Sequence, residues 1–485
     1  MSSPTAPNPE FDLLRVPVIG RFLSWRRARL VLQIPLFAIA FLMVAQGLTG
    51  SQLSPKNLAT VLTWVHYRGA LIVVLMVAGN FFCLGCPFVM VRDVARRFVK
   101  PKHNWPQRLQ NKWLALGLFV LVLFCYELFD LWGSPLWTAV LILAYFVGAL
   151  IIDTRFKHAT FCKFVCPIGQ FNFVASTLSP LEVKVRDLDV CSSCKTKDCI
   201  KSRQETTSTS SDIVFVQRGC ELALFQPLKV GNLDCTFCLD CVHACPHENV
   251  GILARTPASE LWNDQRRSGV GQLSKRNDFA ALSAIFTFGA LLNAFGMVSP
   301  VYAVETWLSR VLGITSETPI LGLIFVLALV VEPMLLLGGA ALATRQFTRT
   351  RGSLLTITTT FAPTLIPLGC GMWLAHYTFH LLTGLWTFIP VFQYAFQQWG
   401  MPILGAPNWS FGGIPVMLVK PLEWGFLALG VLGSLLVAHN IAKREHPTKT
   451  TVAFLPWAIL SLILWFCALW LLSQPMEMRA TLLSS

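Results

Sequence analysis

Four cysteines in one short run carry the clearest chemistry in this sequence. They are Cys235, Cys238, Cys241 and Cys245, and Pro246 follows the last of them. The spacing C-x2-C-x2-C-x3-C-P is one in which thiolates hold a cubane iron–sulfur cluster. Zinc is the rival, but four-cysteine zinc sites usually come as two C-x2-C pairs separated by a longer loop. The run therefore predicts a 4Fe–4S cluster.

A second, less regular cysteine set precedes this run. It consists of Cys191, Cys194, Cys199 and, after an insertion, Cys220. In two-cluster ferredoxins the last cysteine of each motif binds the cluster of the other motif. This exchange predicts one cluster on Cys191, Cys194, Cys199 and Cys245, and another on Cys220, Cys235, Cys238 and Cys241. Glu221 stands where the motif usually has proline.

Two further cysteine pairs, each closed by proline, lie at the ends of apolar segments. They are Cys83/Cys86 before Pro87 and Cys162/Cys166 before Pro167. Residues three or four apart share a helix face, so the two pairs could offer four thiolates to one site. A third cluster and a reversible dithiol are the candidates, and space-filling free cysteines are the alternative. The basic residues that could offset a cluster's charge are Arg92, Arg96, Arg97, Arg155, Lys157 and Lys163.

The elements that must position these cysteines are mostly membrane helices. The chain has 485 residues, of which 54% are hydrophobic and 13% charged, whereas about 25% are charged in soluble domains. About 20 apolar residues cross a bilayer as a helix. Nine such segments are predicted near residues 30–49, 69–90, 113–131, 135–152, 279–299, 318–343, 354–380, 422–438 and 453–473.

The basic residues predict the orientation of these segments. If residues 1–29 are cytoplasmic, the inner loops hold 34 of the 39 Lys and Arg residues, as the positive-inside rule requires. The exceptions are Lys56, Arg68, Arg310, Lys420 and Arg479. Both the paired and the clustered cysteines then lie on the cytoplasmic side, where clusters and free thiols persist and disulfides are rare. The prediction is a multi-pass inner-membrane protein with a periplasmic C-terminus, and the net charge of +14 needs no nucleic-acid partner.

The predicted fold is a polytopic α-helical membrane protein with a cytoplasmic two-cluster ferredoxin-like α+β domain. Residues 1–152 form a four-helix membrane module that carries the first C–P pair. Residues 153–278 form the iron–sulfur domain with the second pair and a Ser/Thr-rich excursion at 205–212. Residues 279–485 form a five-helix membrane module.

The C-terminal module holds a second group of candidate ligands. Met372, His376 and His380 are four residues apart and share one helix face near its outer end, with Pro363 and Pro367 expected to kink that helix. His with Met suits haem or copper, a quinone pocket is another candidate, and interfacial histidines with a purely structural role are the alternative. His66 is the nearest candidate partner.

Three other features of the spans carry expectations. Glu332, before Pro333, is a carboxylate within a span, expected to serve as a proton relay or quinone contact or to satisfy the backbone that the proline frees. The aromatic outer loop 381–421 is either a docking face for a periplasmic acceptor or an interfacial belt. The cysteines expected in the core are Cys125, Cys370 and Cys467.

The C–P pairs followed by the ferredoxin motifs resemble the membrane polyferredoxins, which include NapH, the C-terminal half of NosR and CcoG. The resemblance covers roughly residues 30–255 and implies clusters that pass electrons toward the membrane or periplasm. The chain departs from that pattern in the shorter spacing of Cys83 and Cys86, the stretched first ferredoxin motif, and the five added spans.

The leading functional hypothesis is electron transfer from a cytoplasmic donor, through two 4Fe–4S clusters and the candidate third cluster, to quinone or a periplasmic acceptor. The chain would then be an electron-transfer protein or a subunit of a larger oxidoreductase complex. The alternatives are a metal-reducing assembly factor for a respiratory metalloenzyme and a quinol-reactive subunit. In the C-terminal module, haem b, copper and quinone are the candidate ligands.

Overall fold

The computed structural model describes residues 11–206 and 213–475. Within them, eight helices are long and apolar enough to cross a membrane, and a ninth apolar helix is shorter. The eight long helices are Ala28–Thr49, Leu58–Ala78, Pro135–Arg155, Asn277–Phe295, Glu317–Thr348, Leu354–Thr383, Val416–Glu445 and Thr450–Ser473, and the short one is Trp113–Leu128. The expectation of a polytopic helical membrane protein is confirmed.

Most span boundaries agree with the sequence to within a few residues, but the second does not. The prediction of 69–90 is wrong, because the helix covers Leu58–Ala78. Gly79 ends it with φ +84, a conformation that favours glycine, and a Cβ there would lie 2.7 Å from the Phe237 ring. The chain then turns back, since Phe82 packs on Tyr67 at 4.9 Å between ring centroids.

Several spans are interrupted inside the apolar region. A π-helical segment covers Val61–Tyr67, and a second covers Leu327–Val331 just before Glu332. The seventh span changes to 3-10 geometry over Ala362–Leu365, where Pro363 lies, so the expected irregularity is present. π segments inside helices are often found at functional sites.

Shorter helices connect and cover the spans. They are Leu13–Arg15, Ile19–Ser24, Ser54–Lys56, Phe81–Leu84, Pro87–Phe98, Gln107–Leu109, Phe161–Val165, Pro167–Ala175, Ser176–Leu178, Leu188–Ser193, Asp198–Lys201, Gln226–Leu228, Asp240–Ala244, Ser259–Trp262, Leu273–Lys275, Pro300–Leu312 and Phe388–Gln398.

The cysteine-rich region between the fourth and fifth spans holds two small antiparallel sheets. Strand β1 (Leu181–Val185) pairs with β4 (Val250–Ala254), so that Val183 lies opposite Ile252. Strand β2 (Arg203–Thr206) pairs with β3 (Ile213–Gln217). Most of the predicted Ser/Thr-rich excursion, residues 207–212, lies outside the described residues.

The N-terminal segment packs on this region, although the sequence placed it with the membrane module. The Phe11 carbonyl accepts a hydrogen bond from Ala254 N at 2.9 Å. The buried Asp12 carboxylate pairs with Arg186 at 2.7 Å and accepts from Ile252 N at 3.3 Å. Residues near the N-terminus therefore extend the β1–β4 sheet.

One hydrophobic core joins the N-terminal and C-terminal helices. Trp373 of the seventh span packs against Phe171 at 5.4 Å and donates to the Phe286 carbonyl at 2.9 Å. A second core lies under the cysteine motifs and includes Leu84, Phe237 and Ile252. Cys199, Cys220, Cys235 and Cys241 are themselves part of this second core.

Candidate metal centre

The first predicted cysteine set surrounds one small cavity. Its lining includes Cys191, Cys194, Cys199 and Cys245, the grouping that the exchange of last cysteines predicts. The buried Asn249 orients two of the sulfurs: its backbone N–H donates to Cys245 Sγ and its side-chain amide to Cys191 Sγ, each at 3.4 Å. Such N–H donors are one means by which proteins tune cluster potentials.

The second predicted set is also brought together. Cys220 interacts electrostatically with Cys235, Cys238 and Cys241, although an insertion separates it from them in sequence. Burial raises the pKa of the Cys220 thiol to about 11, and it also raises the pKa of Cys235. Burial thus favours the neutral form of these thiols.

The third set is formed by the two C–P turns, but not from one continuous helix face as the spacing suggested. Cys83 lies on the short helix Phe81–Leu84, while Cys86 and Cys166 each precede a helix that begins with proline. Cys166 Sγ accepts from Gly169 N at 3.2 Å, and Cys83 Sγ accepts from the Asn172 side chain at 3.4 Å.

The members of this third set lie within electrostatic range of one another. Cys83 interacts with Cys86, and Cys166 interacts with both. Cys162, on the π segment Phe161–Val165, interacts with Cys86 and Cys166. The two turns therefore present four thiols to a shared region.

The distances between these side chains limit which metal ion or cluster they can bind. In the described part of the chain, no three His, Cys, Asp or Glu side chains converge closely enough to hold a single metal ion. A zinc ion needs sulfurs at about 2.3 Å. The first set surrounds a small space, and all fifteen cysteines are free thiols, so these thiols are available to the kind of cluster that the sequence predicts.

The second and third sets are direct neighbours. Asn80, just after the second span, donates to the Cys235 carbonyl at 3.0 Å. Phe81 packs on Phe237 at 5.4 Å, and Cys83 interacts electrostatically with Cys235. The first and second sets are neighbours as well, because the Cys220 N–H donates to the Cys199 carbonyl at 2.8 Å, so the second set lies beside both of the others.

Ion pairs fasten the cysteine-rich region to the helices. Arg92 is 1% exposed and pairs with Glu221 at 2.7 Å and with Asp153 at 3.3 Å. Arg96 also pairs with Glu221, at 3.0 Å. The residue that replaces the usual proline after Cys220 is therefore a docking contact.

The predicted ligands of the seventh span are buried together on one face. Met372 and His376 are almost fully buried, and the His376 and His380 rings lie 5.0 Å apart. Within the described residues, neither ring nitrogen of His376 has a hydrogen-bond partner, and Nε2 of His380 has none. Such unpaired groups are costly, which favours a role beyond packing.

Two expectations about the spans are wrong in detail. Glu332 is exposed on the outer surface of the helix bundle rather than buried among the spans. Cys467 is exposed as well, whereas Cys370 is buried as expected and Cys125 is half-buried. A helix pattern alone does not tell which face meets its neighbours.

The aromatic outer loop folds over the spans. Helix Phe388–Gln398 packs beside the residues that precede the second span, and Lys56 lies 5.2 Å from the Trp409 ring centroid. Trp386 is half exposed. The loop therefore has both a packed and an exposed aromatic surface, as a belt or a docking face requires.

One feature of the structure, a large cavity, was not predicted from the sequence. A cavity of about 930 Å³ lies among the first four spans, the C–P turns and the outer loop. His66, Arg68 and Tyr377 line one part of it, and Phe82 and Pro167 line another. Such a space is formed by the packing of helices, and no sequence motif marks it. The π-helical segment at 61–67 is the local structural feature that accompanies it.

Comparison with known proteins finds two that are distantly similar to this chain. The chain is 27% identical over 100 residues to the Escherichia coli protein named "Putative electron transport protein YccM", covering 21% of this chain and 23% of that protein. It is 23% identical over 198 residues to an uncharacterized Methanocaldococcus jannaschii protein, MJ0749, covering 39% of this chain and 69% of that one. The match thus spans about a quarter of the first relative. No family model and no solved structure matches the chain.

Proposed function

We propose that this chain is a membrane-bound iron–sulfur electron-transfer protein. Electrons would enter from a cytoplasmic donor at the two ferredoxin-like cysteine sets and pass to the C–P cysteine set, then to quinone or a periplasmic acceptor. The observation that carries the proposal is that the three four-cysteine sets adjoin: the Cys220 N–H donates to the Cys199 carbonyl at 2.8 Å, and Cys83 interacts electrostatically with Cys235.

The residues fit three 4Fe–4S clusters. The first would be held by Cys191, Cys194, Cys199 and Cys245, the second by Cys220, Cys235, Cys238 and Cys241, and the third by Cys83, Cys86, Cys162 and Cys166. Such clusters supply one-electron redox chemistry. The chain itself supplies the spacing, the N–H donors to sulfur and the exclusion of water.

Opposite charges and burial support this role. Arg29 pairs with Asp240 at 3.4 Å and interacts electrostatically with Cys238. Lys163, between the cysteines of the second C–P pair, donates to the Leu222 carbonyl at 2.7 Å, close to Cys220. Buried cations near the sulfurs would stabilise the negative charge of a thiolate-bound cluster.

A metal-reducing assembly factor is the second candidate. The buried, unpaired nitrogens of His376 and His380 favour it, because imidazole suits copper. In that case a metal ion would be the acceptor of the electrons. Binding of Cu(I) to the wild-type chain, lost on replacing both histidines, would favour this alternative.

The test is reversible redox chemistry of the full-length protein. After anaerobic purification in detergent, the wild type should show visible absorbance that dithionite bleaches and ferricyanide restores. The matched control is Cys467→Ser, at the exposed cysteine, which should behave as wild type. A colourless, iron-free protein would end the proposal.

A further inference from the structure

The cavity of about 930 Å³ has the size of a ligand site, since such sites measure about 300–1,000 Å³. It lies between helices that carry apolar side chains toward it, including Leu36, Met43 and Leu123. It also touches both C–P turns, through Gly85 and Pro87 on one and Pro167 on the other. A ligand there would lie beside the third cysteine set.

A polar patch interrupts this apolar wall. Arg68 is 6% exposed, donates through Nη1 to the Tyr126 hydroxyl at 3.3 Å, and lies 4.7 Å from the Tyr377 ring centroid. Its Nε and Nη2 have no hydrogen-bond partner within the described ranges. The rings of Trp64, Tyr126 and Trp132 also lie 5.8–5.9 Å from the guanidinium, so aromatic faces stabilise its charge, and Nε and Nη2 remain available to an acceptor oxygen of a ligand.

His66 adds a group of the opposite kind. Its Nδ1 lies 3.1 Å from the Val61 carbonyl, which can only accept, so Nδ1 carries the hydrogen. Nε2 is then a free acceptor, and it too has no partner in the described part of the chain. Asn293, almost fully buried on the fifth span, offers a further unpaired carbonyl oxygen.

This pattern fits a ligand with a small polar ring and a long apolar tail. Arg68 can donate to a ring carbonyl, while His66 Nε2 can accept from a ring hydroxyl. The quinone form presents the carbonyl and the quinol form the hydroxyl, and the isoprenoid chain of either form matches the apolar wall. The phosphate of an anionic lipid would also pair with Arg68, but it carries no proton at neutral pH for the His66 acceptor.

We infer that this cavity is the binding site of an isoprenoid quinone, with its head group at Arg68 and its tail along the first and third spans. The inference rests on the proposed electron-transfer function and names a place for its lipid-soluble partner. It moves that partner away from the Met372 and His376 face and from Glu332, where the sequence had suggested it.

Titration of the detergent-purified full-length chain with decylubiquinone tests the inference through quenching of tryptophan fluorescence, since Trp64 lines the cavity. The wild type should show saturable binding. Ala70→Phe, which adds a bulky side chain to the cavity lining, should weaken binding by about tenfold or more, and so should Arg68→Gln. Val77→Phe is the control, because Val77 is on the same helix and 64% exposed, and it should bind as wild type.

Equal affinity in wild type and Ala70→Phe would overturn the inference, as would unsaturable quenching. A haem absorbance that disappears in His66→Ala would also overturn it, since haem would then occupy the space. The readout does not depend on clusters. Quinone binding by an iron-free chain would refute the proposed function alone, and clusters without quinone binding would refute the site alone.

Discussion

Glu221 and Arg92 form an ion pair of 2.7 Å that joins the cysteine-rich region to the helix after the first C–P turn. Burial works to raise the pKa of Glu221, but Arg92, Arg218 and Arg29 together outweigh burial, and the pKa lies below its usual value. The pair fixes Cys220, its sequence neighbour, close to the membrane helices. It gives a structural reason for the departure from the proline of ferredoxin motifs.

Glu221→Gln should therefore weaken the docking of the two parts. We expect a loss of about 1–3 kcal/mol, since Arg92 loses one of its charged partners in a buried site. Thermal unfolding in detergent, followed by circular dichroism, should show a melting temperature lower by several degrees. Glu248→Gln, at an exposed position, is the control, and an equal effect there would refute the docking role.

The exchange of last cysteines predicts that Cys245 binds the same cluster as Cys191. Cys245→Ser should remove the same EPR signal as Cys191→Ser, although Cys245 lies in the motif of Cys235. Asn249 contacts the sulfurs of both Cys191 and Cys245, which is the physical reason. If Cys245→Ser instead removes the EPR signal that Cys235→Ser removes, each motif binds its own cluster.

His376→Leu separates packing from function. Removing a buried imidazole without hydrogen-bond partners should stabilise the protein by about 1–3 kcal/mol. If the histidine serves electron or metal transfer, the same change should abolish that activity in membrane vesicles while the cluster EPR signals persist. A destabilised variant with normal transfer would assign His376 to packing.

The orientation can be tested by accessibility. Ser410→Cys, in the outer loop, should react with an impermeant maleimide in intact cells, while Lys195→Cys should react only after the cells are opened. Both positions are exposed, so a difference between them reports the side of the membrane. Labelling of Lys195→Cys in intact cells would reverse the orientation.

Much of this arrangement could be predicted from local pattern. Apolar length located the spans, and cysteine spacing grouped Cys220 with the Cys235 run across an insertion. What failed depends on contacts between distant segments: the turn at Gly79 is set by its approach to Phe237, and Asp12 joins a sheet nearly 240 residues away. The exposure of Glu332 and the cavity beside Arg68 follow from helix packing, which single-helix periodicity does not encode.

The central claim is that three cysteine sets hold three clusters in series. Iron and acid-labile sulfide in the anaerobically purified full-length chain test it most directly. Wild type and Cys467→Ser should each contain about twelve of both per chain, and Cys166→Ser about eight. Eight in all three proteins would remove the third cluster, and zinc in place of iron would contradict the account as a whole.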